Sequence, residues 1–165
     1  MEIIELNSLH AEAYQHLRLE GLKKHPENFG ASYDEELHYT IDDYSERITA
    51  HQSNVFGAFN NEKLIGIVTL FKESKLKMKH KAFIFGMYVT EESRGLGAAR
   101  KLMEAALNKA RAQPEIEQVY LTVMSDNHPA KKLYLSLGFE PYAKEPHALK
   151  IGTYYYDEEH MLLML

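Results

Sequence analysis

The sequence lacks cysteine, and this absence excludes disulfide bonds, a thiolate nucleophile and a cysteine-ligated zinc site. Long apolar runs are missing too. The longest one, from Leu64 to Phe71, is far shorter than the roughly 20 residues that a membrane-spanning helix needs. Residues 1–10 have neither the basic start nor the apolar core of a signal peptide. We therefore expect a cytoplasmic protein without a membrane partner.

An excess of positive charge is also absent, because the formal net charge is −5. This balance argues against a nucleic-acid-binding protein, and we predict no such partner. Nine histidines are present, but no pair of them has the HExxH spacing. Neighbours such as His10 and His16 do not share a helix face, so we also predict no metal ion.

The pattern of apolar residues predicts one α/β domain over residues 1–165, without linkers or repeats. Helical spacing is found over residues 8–24 and 40–51, with Thr40 and Asp43 in capping positions. The predicted order of elements is β-α-α-β-β-β-α-β-α-β-β, with crossover helices on a mixed sheet. The strand "VYLTVM" does not alternate, which predicts burial of both its faces.

The segment Arg94-Gly95-Leu96-Gly97-Ala98-Ala99 leads from a predicted strand into a predicted helix without an aspartate or serine cap. A helix N-terminus with free amides and small side chains suits an anion. A P-loop would need Lys and Ser or Thr where Ala98 and Ala99 stand. A dinucleotide fingerprint would need glycine in place of Arg100 and an acidic residue after the next strand. The segment fits instead the pattern Gln/Arg-x-x-Gly-x-Gly/Ala of acyl-CoA pyrophosphate loops.

A second motif follows about thirty residues later. Residues 127–139 have the pattern Asn-x-x-Ala-x-x-Leu-Tyr-x-x-x-Gly-Phe. With the glycine segment and the strand ending at Val89, this pattern resembles the GNAT N-acetyltransferase family over nearly the whole chain. The resemblance implies a mixed, mostly antiparallel sheet of six to seven strands with about four flanking helices. Residues 25–36 and 145–161 also resemble a bacterial subset of that family whose acceptor is generally unassigned.

The resemblance implies that acetyl-CoA is the cosubstrate and lies in a V-shaped gap between the strands Phe83–Val89 and Val119–Met124. The pantetheine arm would contact Met87 and Val89, next to a bulge near Gly86, and would hydrogen-bond with Asn127. The amides that would hold the pyrophosphate are those of Gly95, Gly97, Ala98 and Ala99. Arg94 or Arg100 would screen the phosphate charge, although Arg100 fits a solvated helix residue equally well.

Tyr134 matches the general acid of the family, since a phenol is a suitable proton donor to a departing thiolate. The implied activity is transfer of the acetyl group from acetyl-CoA to a primary amine of a small molecule or peptide by direct attack. A general base is not evident, because residues 82–89 contain no Glu, Asp or His. The alternatives are a chain of water molecules or one of three side chains, Glu35, Glu36 and His80. A non-catalytic sensor of acetyl-CoA is the alternative function.

Two charged or aromatic segments are candidates for contacts with partners. Residues 25–36 contain two aromatic side chains that could form the walls of an acceptor site, Phe29 and Tyr33. They also contain three carboxylates that would attract a cation, Asp34, Glu35 and Glu36. The alternative is that this segment is a solvated loop that caps a helix. The lysine-rich residues 72–81 would attract the 3′-phosphate of CoA or an acidic partner, or else form a solvated hairpin tip. A homodimer is an option that rests on analogy with the family alone.

Overall fold

A computed structural model describes residues 1–165 and contains one seven-stranded sheet in the order β1-β2-β3-β4-β5-β7-β6. The strands are β1 (Glu2–Glu5), β2 (Ser53–Asn60), β3 (Lys63–Lys72), β4 (Lys81–Val89), β5 (Gln118–Met124), β6 (Glu140–Ile151) and β7 (Tyr154–Met164). Strands β4 and β5 are parallel, and every other neighbouring pair is antiparallel. The mixed, mostly antiparallel sheet is therefore as predicted.

Five helices flank the sheet, one more than expected. They are α1 (Ala11–Lys24), α2 (Tyr33–Glu36), α3 (Ile41–Thr49), α4 (Ala98–Arg111) and α5 (His128–Ser136). The additional helix α2 is a single turn, which forms because Ser32 and Glu35 cap it reciprocally. Helix α3 begins with the predicted capping box of Thr40 and Asp43. None of the helices combines the length and apolar character required to cross a bilayer.

The helices bury two separate apolar cores on the two faces of the sheet. Helices α1 and α3 share one core with β2, β3 and β4, which includes Tyr14, Tyr44 and Ile67. Helix α4 fills the larger core on the opposite face, where Leu102 and Met103 are fully buried. The α1–α3 layer packs mainly on β2, β3 and β4. Neither helix packs extensively on β5, which is reached instead by the turn at residues 26–28.

The burial pattern of β5 corrects the prediction for this strand, which we expected to be buried on both sides. Val119, Leu121 and Val123 are buried, whereas Thr122 between them is exposed. The sequence "VYLTVM" does not show this alternation between buried and exposed positions, because apolar residues occupy both faces of the strand and Thr122 is the only small polar residue. The two faces of the strand differ in burial because neither α1 nor α3 packs extensively on β5.

Glu36 is buried between α1 and α3, with 3% of its surface exposed. Its carboxylate accepts hydrogen bonds from the Arg18 guanidinium at 2.9 and 3.1 Å, from Arg47 at 3.1 Å and from the Tyr44 hydroxyl at 3.1 Å. Burial alone would raise the pKa of Glu36, but Arg18 and Arg47 outweigh it and hold the pKa below its usual value. This carboxylate is thus fully engaged in joining helices, which excludes it as a base in solvent contact.

We predict that Glu36→Gln lowers the free energy of unfolding by about 3–5 kcal/mol, because removing one partner leaves buried charges uncompensated. Urea unfolding at pH 7 measures this change. The pKa of Glu36 is lower in the folded than in the unfolded state, so its stabilisation is present above the ordinary value of 4.5 and is lost as the pH falls through the folded value. The wild type should therefore lose more stability on acidification than the variant, and parallel acid profiles would contradict the prediction.

Candidate active site

The site begins where the parallel strands β4 and β5 separate. They pair only through Lys81–Phe83 and Gln118–Tyr120, and then diverge while each strand continues. On its other side β4 remains paired with β3 as far as Val89. Residues 84–89 therefore present an unpaired strand edge, whose backbone groups require other partners.

A β-bulge lies in β4 at the predicted position. Ile67 is opposite Tyr88 and Thr69 is opposite Phe85, so Gly86 and Met87 together face a single residue of β3. Gly86 has a φ of +61°, a left-handed conformation that favours glycine. A bulge bends its strand and increases the local twist. Its place in the second half of β4 accords with the divergence from β5.

The divergence opens a cleft with a volume of about 1410 Å³. All ten residues that the sequence motifs single out line it: Met87, Val89, Arg94, Gly95, Gly97, Ala98, Ala99, Arg100, Asn127 and Tyr134. Phe29 also lines the cleft, as expected for an acceptor wall. The other candidates do not: Tyr33, Asp34, the three proposed bases Glu35, Glu36 and His80, and the lysines between residues 72 and 81. These residues are therefore not part of the wall of the cleft.

One end of the cleft is built from free backbone amides. The amides of residues 95–100 donate to no backbone carbonyl, and no side chain caps α4. Gly95 and Gly97 have φ values of +79° and +80°, and a Cβ atom on either would meet nothing within 4 Å. The left-handed backbone, rather than crowding, therefore requires glycine here. Free amides at the positive end of a helix dipole form an anion site.

The two arginines at this end of the cleft also hold neighbouring elements together. Arg94 Nη2 lies 2.8 Å from His25 Nε2, and Arg94 Nε donates to the Val89 carbonyl at 3.4 Å. Arg100 Nη2 donates to the Ser136 hydroxyl at 2.6 Å. Arg94 thus ties the glycine segment to the end of α1, and Arg100 ties α4 to α5.

Asn127 lies at the start of α5, and both ends of its side chain are engaged. Its Oδ1 accepts from the Ala130 amide at 3.2 Å and caps the helix. Its Nδ2 donates to Asn28 Oδ1 at 2.9 Å, which joins α5 to the segment after α1. The Nδ2 group carries a second hydrogen, which remains for the predicted contact of Asn127 with pantetheine.

Tyr134 lies on α5 with 7% of its surface exposed, and its ring packs edge-on against Phe139 at 6.1 Å. Burial alone raises the pKa of Tyr134 to about 12. The phenol therefore keeps its proton throughout the neutral range. Because Tyr134 lines the cleft, its hydroxyl group can donate a proton to a basic group that is generated in the cleft during a reaction.

Glu158 is a cleft residue that the sequence interpretation missed. It lies on β7 opposite Met124, the last residue of β5, and is half-buried. The acidic run Asp157–Glu159 was visible in the predicted closing strand, but its register against β5 was not. No group of three or more His, Asp or Glu side chains in the structure is arranged to hold a metal ion.

Comparison with known proteins identifies relatives of this chain. The model of the acetyltransferase (GNAT) family matches residues 11–139. An N-alpha-acetyltransferase of Sulfurisphaera tokodaii is 36% identical over 84 residues, which are 51% of this chain and 47% of the relative. The chain thus matches about half the length of this curated relative.

Solved structures share the fold over the whole chain. An acetyltransferase of the GNAT family from Streptococcus pneumoniae superposes with a TM-score of 0.89 at 20% identity, covering 99% of both chains. A putative acetyltransferase from Salmonella typhimurium, solved with its cofactor acetyl-CoA, has a TM-score of 0.87 at 19% identity and covers 100% of this chain and 94% of its own. At these identities the two structures establish the fold alone.

We predict that Gly97→Glu weakens acetyl-CoA binding at least about 100-fold, because a carboxylate would enter the anion site and charge-assisted hydrogen bonds of about 1.5–3 kcal/mol would be lost. Titration calorimetry of the purified proteins measures the effect.

Gly152→Glu is the matched control for this substitution. Gly152 also has a positive φ, +59°, and open space around its Cβ position, but it lies in the β6–β7 hairpin outside the cleft. The control should therefore carry the same backbone strain and bind acetyl-CoA like the wild type. If both variants lost acetyl-CoA affinity equally, backbone strain would explain the loss and the anion site would be refuted.

Proposed function

Because this chain belongs to the GNAT acetyltransferase family, we propose that it is an acetyl-CoA-dependent N-acetyltransferase acting on a primary amine of a small molecule or peptide. The observation that carries the proposal is the convergence of three features in one cleft. These are the free amides of residues 95–100, the unpaired edge of β4 and the buried phenol of Tyr134. Each suits a different part of an acyl-CoA reaction.

Acetyl-CoA fits this arrangement as the acyl donor. The amides of Gly95, Gly97, Ala98 and Ala99 would bind its pyrophosphate, with Arg94 and Arg100 beside them. The free edge of β4 at Met87 and Val89 would pair with the amide groups of the pantetheine arm, as a strand edge pairs with any extended backbone. Asn127 would contribute a further hydrogen bond.

The chemistry requires the acceptor nitrogen to attack the thioester carbonyl carbon, while the C–S bond breaks and the thiolate gains a proton. Alignment of the two substrates supplies much of the acceleration. A backbone amide at Met87 or Tyr88 would polarise the carbonyl oxygen. Tyr134 would donate the proton to the thiolate. The burial that raises the pKa of this phenol would also raise the proton affinity of a thiolate beside it, which offsets part of the difference in acidity between the two groups.

The proposal specifies the acceptor only as a primary amine. The relative from Sulfurisphaera tokodaii bears the name N-alpha-acetyltransferase, so the free α-amine of a peptide is the first acceptor to test. Release of CoA with a peptide, a polyamine or an arylalkylamine would support catalysis. Tight acetyl-CoA binding without release of CoA by any of them would support the sensor function instead.

We predict that Tyr134→Phe lowers kcat about 10²–10⁴-fold, the range typical of a lost general acid, while acetyl-CoA still binds. Steady-state kinetics with the best amine of that panel measures kcat, and calorimetry measures acetyl-CoA binding. Tyr154→Phe is the control, because Tyr154 is exposed in the β6–β7 hairpin and does not line the cleft. An unchanged kcat in Tyr134→Phe would remove Tyr134 from the mechanism.

A further inference from the structure

The proposed function leaves one chemical requirement unmet. A primary amine is mostly an ammonium ion at neutral pH, and an ammonium nitrogen has no lone pair with which to attack a carbonyl carbon. A group in the cleft must therefore bind this cation and remove a proton from it. The three side chains suggested by the sequence do not line the cleft, so a base in direct contact with the amine must be another residue.

Three carboxylates line the cleft, and their surroundings differ. Asp126 is exposed to solvent, which screens its charge. Glu27 lies 3.7 Å from His25 and accepts a hydrogen bond from Asn28. Glu158 is half-buried and has neither kind of partner. Among the three, Glu158 is the carboxylate left to meet a cation from outside the protein.

The contrast with neighbouring acids on the β6–β7 hairpin is sharp. Asp157 pairs with Lys144 at 3.0 Å, and Glu159 pairs with Lys131 at 2.6 Å. Glu145, which lies opposite Glu158 in the register of β6 and β7, contacts His160 at 2.9 Å. Each of these acids has a basic partner within the fold, whereas Glu158 has none. A half-buried carboxylate without a partner is costly to the folded protein, and a bound cation offsets that cost.

The wall contributed by β4 is also suited to a cation. Phe85 lines the cleft with 54% of its surface exposed. Its ring stacks on Phe83 at 5.9 Å, and Phe83 stacks on Tyr120 of β5 at 5.5 Å. The faces of aromatic rings attract cations. The positively charged Arg18 also lines the cleft, but its guanidinium group is paired with the carboxylate of Glu36.

We propose that Glu158 binds the ammonium group of the acceptor and takes a proton from it. This inference rests on the proposed N-acetyltransferase function. The ammonium gives one proton to the Glu158 carboxylate, and the resulting amine forms the C–N bond as the C–S bond breaks. The thiolate takes the Tyr134 proton, the nitrogen returns its surplus proton to the tyrosinate, and Glu158 releases its own proton to water.

The electrostatic surroundings of Glu158 favour this role. Burial raises its pKa above the ordinary value, and the charge of Glu145 raises it further, while His160 acts in the opposite direction. The neighbour of Glu158 on β5 is Met124, which does not titrate. The carboxylate is therefore a stronger base than a solvated glutamate and remains able to ionise.

The test compares Glu158→Gln with Glu159→Gln, the adjacent residue on the same strand, whose side chain lies outside the cleft. We expect Glu158→Gln to lower kcat/KM for the amine about 10²–10⁴-fold, to leave acetyl-CoA binding unchanged and not to lower Tm. Glu159→Gln should lower Tm, because it breaks the ion pair with Lys131, and should keep its activity. The reverse pattern would overturn the proposal.

Two further measurements separate proton removal from a structural role. Glu158→Asp keeps a carboxylate and should recover part of the activity. The loss in Glu158→Gln should also be smaller for 2,2-difluoro-2-phenylethylamine than for 2-phenylethylamine, because fluorine makes the ammonium more acidic and less dependent on a base. An equal loss with both amines would contradict proton removal by Glu158.

A final measurement distinguishes failure of this proposal from failure of the proposed function. If the wild type binds acetyl-CoA but releases no CoA with any amine, the acetyltransferase function fails. Glu158 is then judged by calorimetric binding of 2-phenylethylamine to the CoA-loaded protein, with 2-phenylethanol as the uncharged control. Binding of the amine alone, and its loss in Glu158→Gln, would support the cation site. Equal binding by both proteins, or none by the wild type, would overturn it.

Discussion

The short parallel pairing of β4 with β5 is the constraint on which the site depends. The strands share three residue pairs and then part, with the bulge at Gly86 beyond the last of them. Had the pairing continued, each backbone group of β4 would have a partner within the sheet and no cleft would exist. A strand edge buried beside a cleft instead calls for an extended ligand with its own amide groups.

The cleft is lined by groups that attract opposite charges. The free amides of residues 95–100 and the positive end of the α4 dipole form one end, while the unpaired carboxylate of Glu158 is contributed by β7. The amides suit an anionic donor and the carboxylate suits a cationic acceptor, so one cavity offers a partner to each of the two proposed substrates. Tyr134 is neutral and lines the same cavity, so it does not disturb either attraction.

Contacts between distant segments hold this arrangement in place. Asn28 bonds with Asn127, and His25 contacts Arg94, so the segment after α1 is attached to both α5 and the glycine segment. The ion cluster around Glu36 joins α1 to α3 and orients Arg18. The sequence left two interpretations of residues 25–36, a wall for the acceptor or a solvated capping loop. In the structure only part of this segment lines the cleft, while Glu35 caps α2 and Glu36 pairs with two arginines.

The sequence by itself determined the features that depend on local backbone chemistry. Closely spaced glycines before an uncapped helix and a tyrosine at a fixed helical offset from Asn127 are properties of short segments, so their spacing revealed them. Tertiary structure alone decided the features that depend on strand register and on layers. The exposed face of β5 follows from where the α1–α3 layer ends, and the isolation of Glu158 follows from which acids find basic partners across β6 and β7. Neither is encoded in a local pattern, because each depends on residues that only the folded sheet brings together.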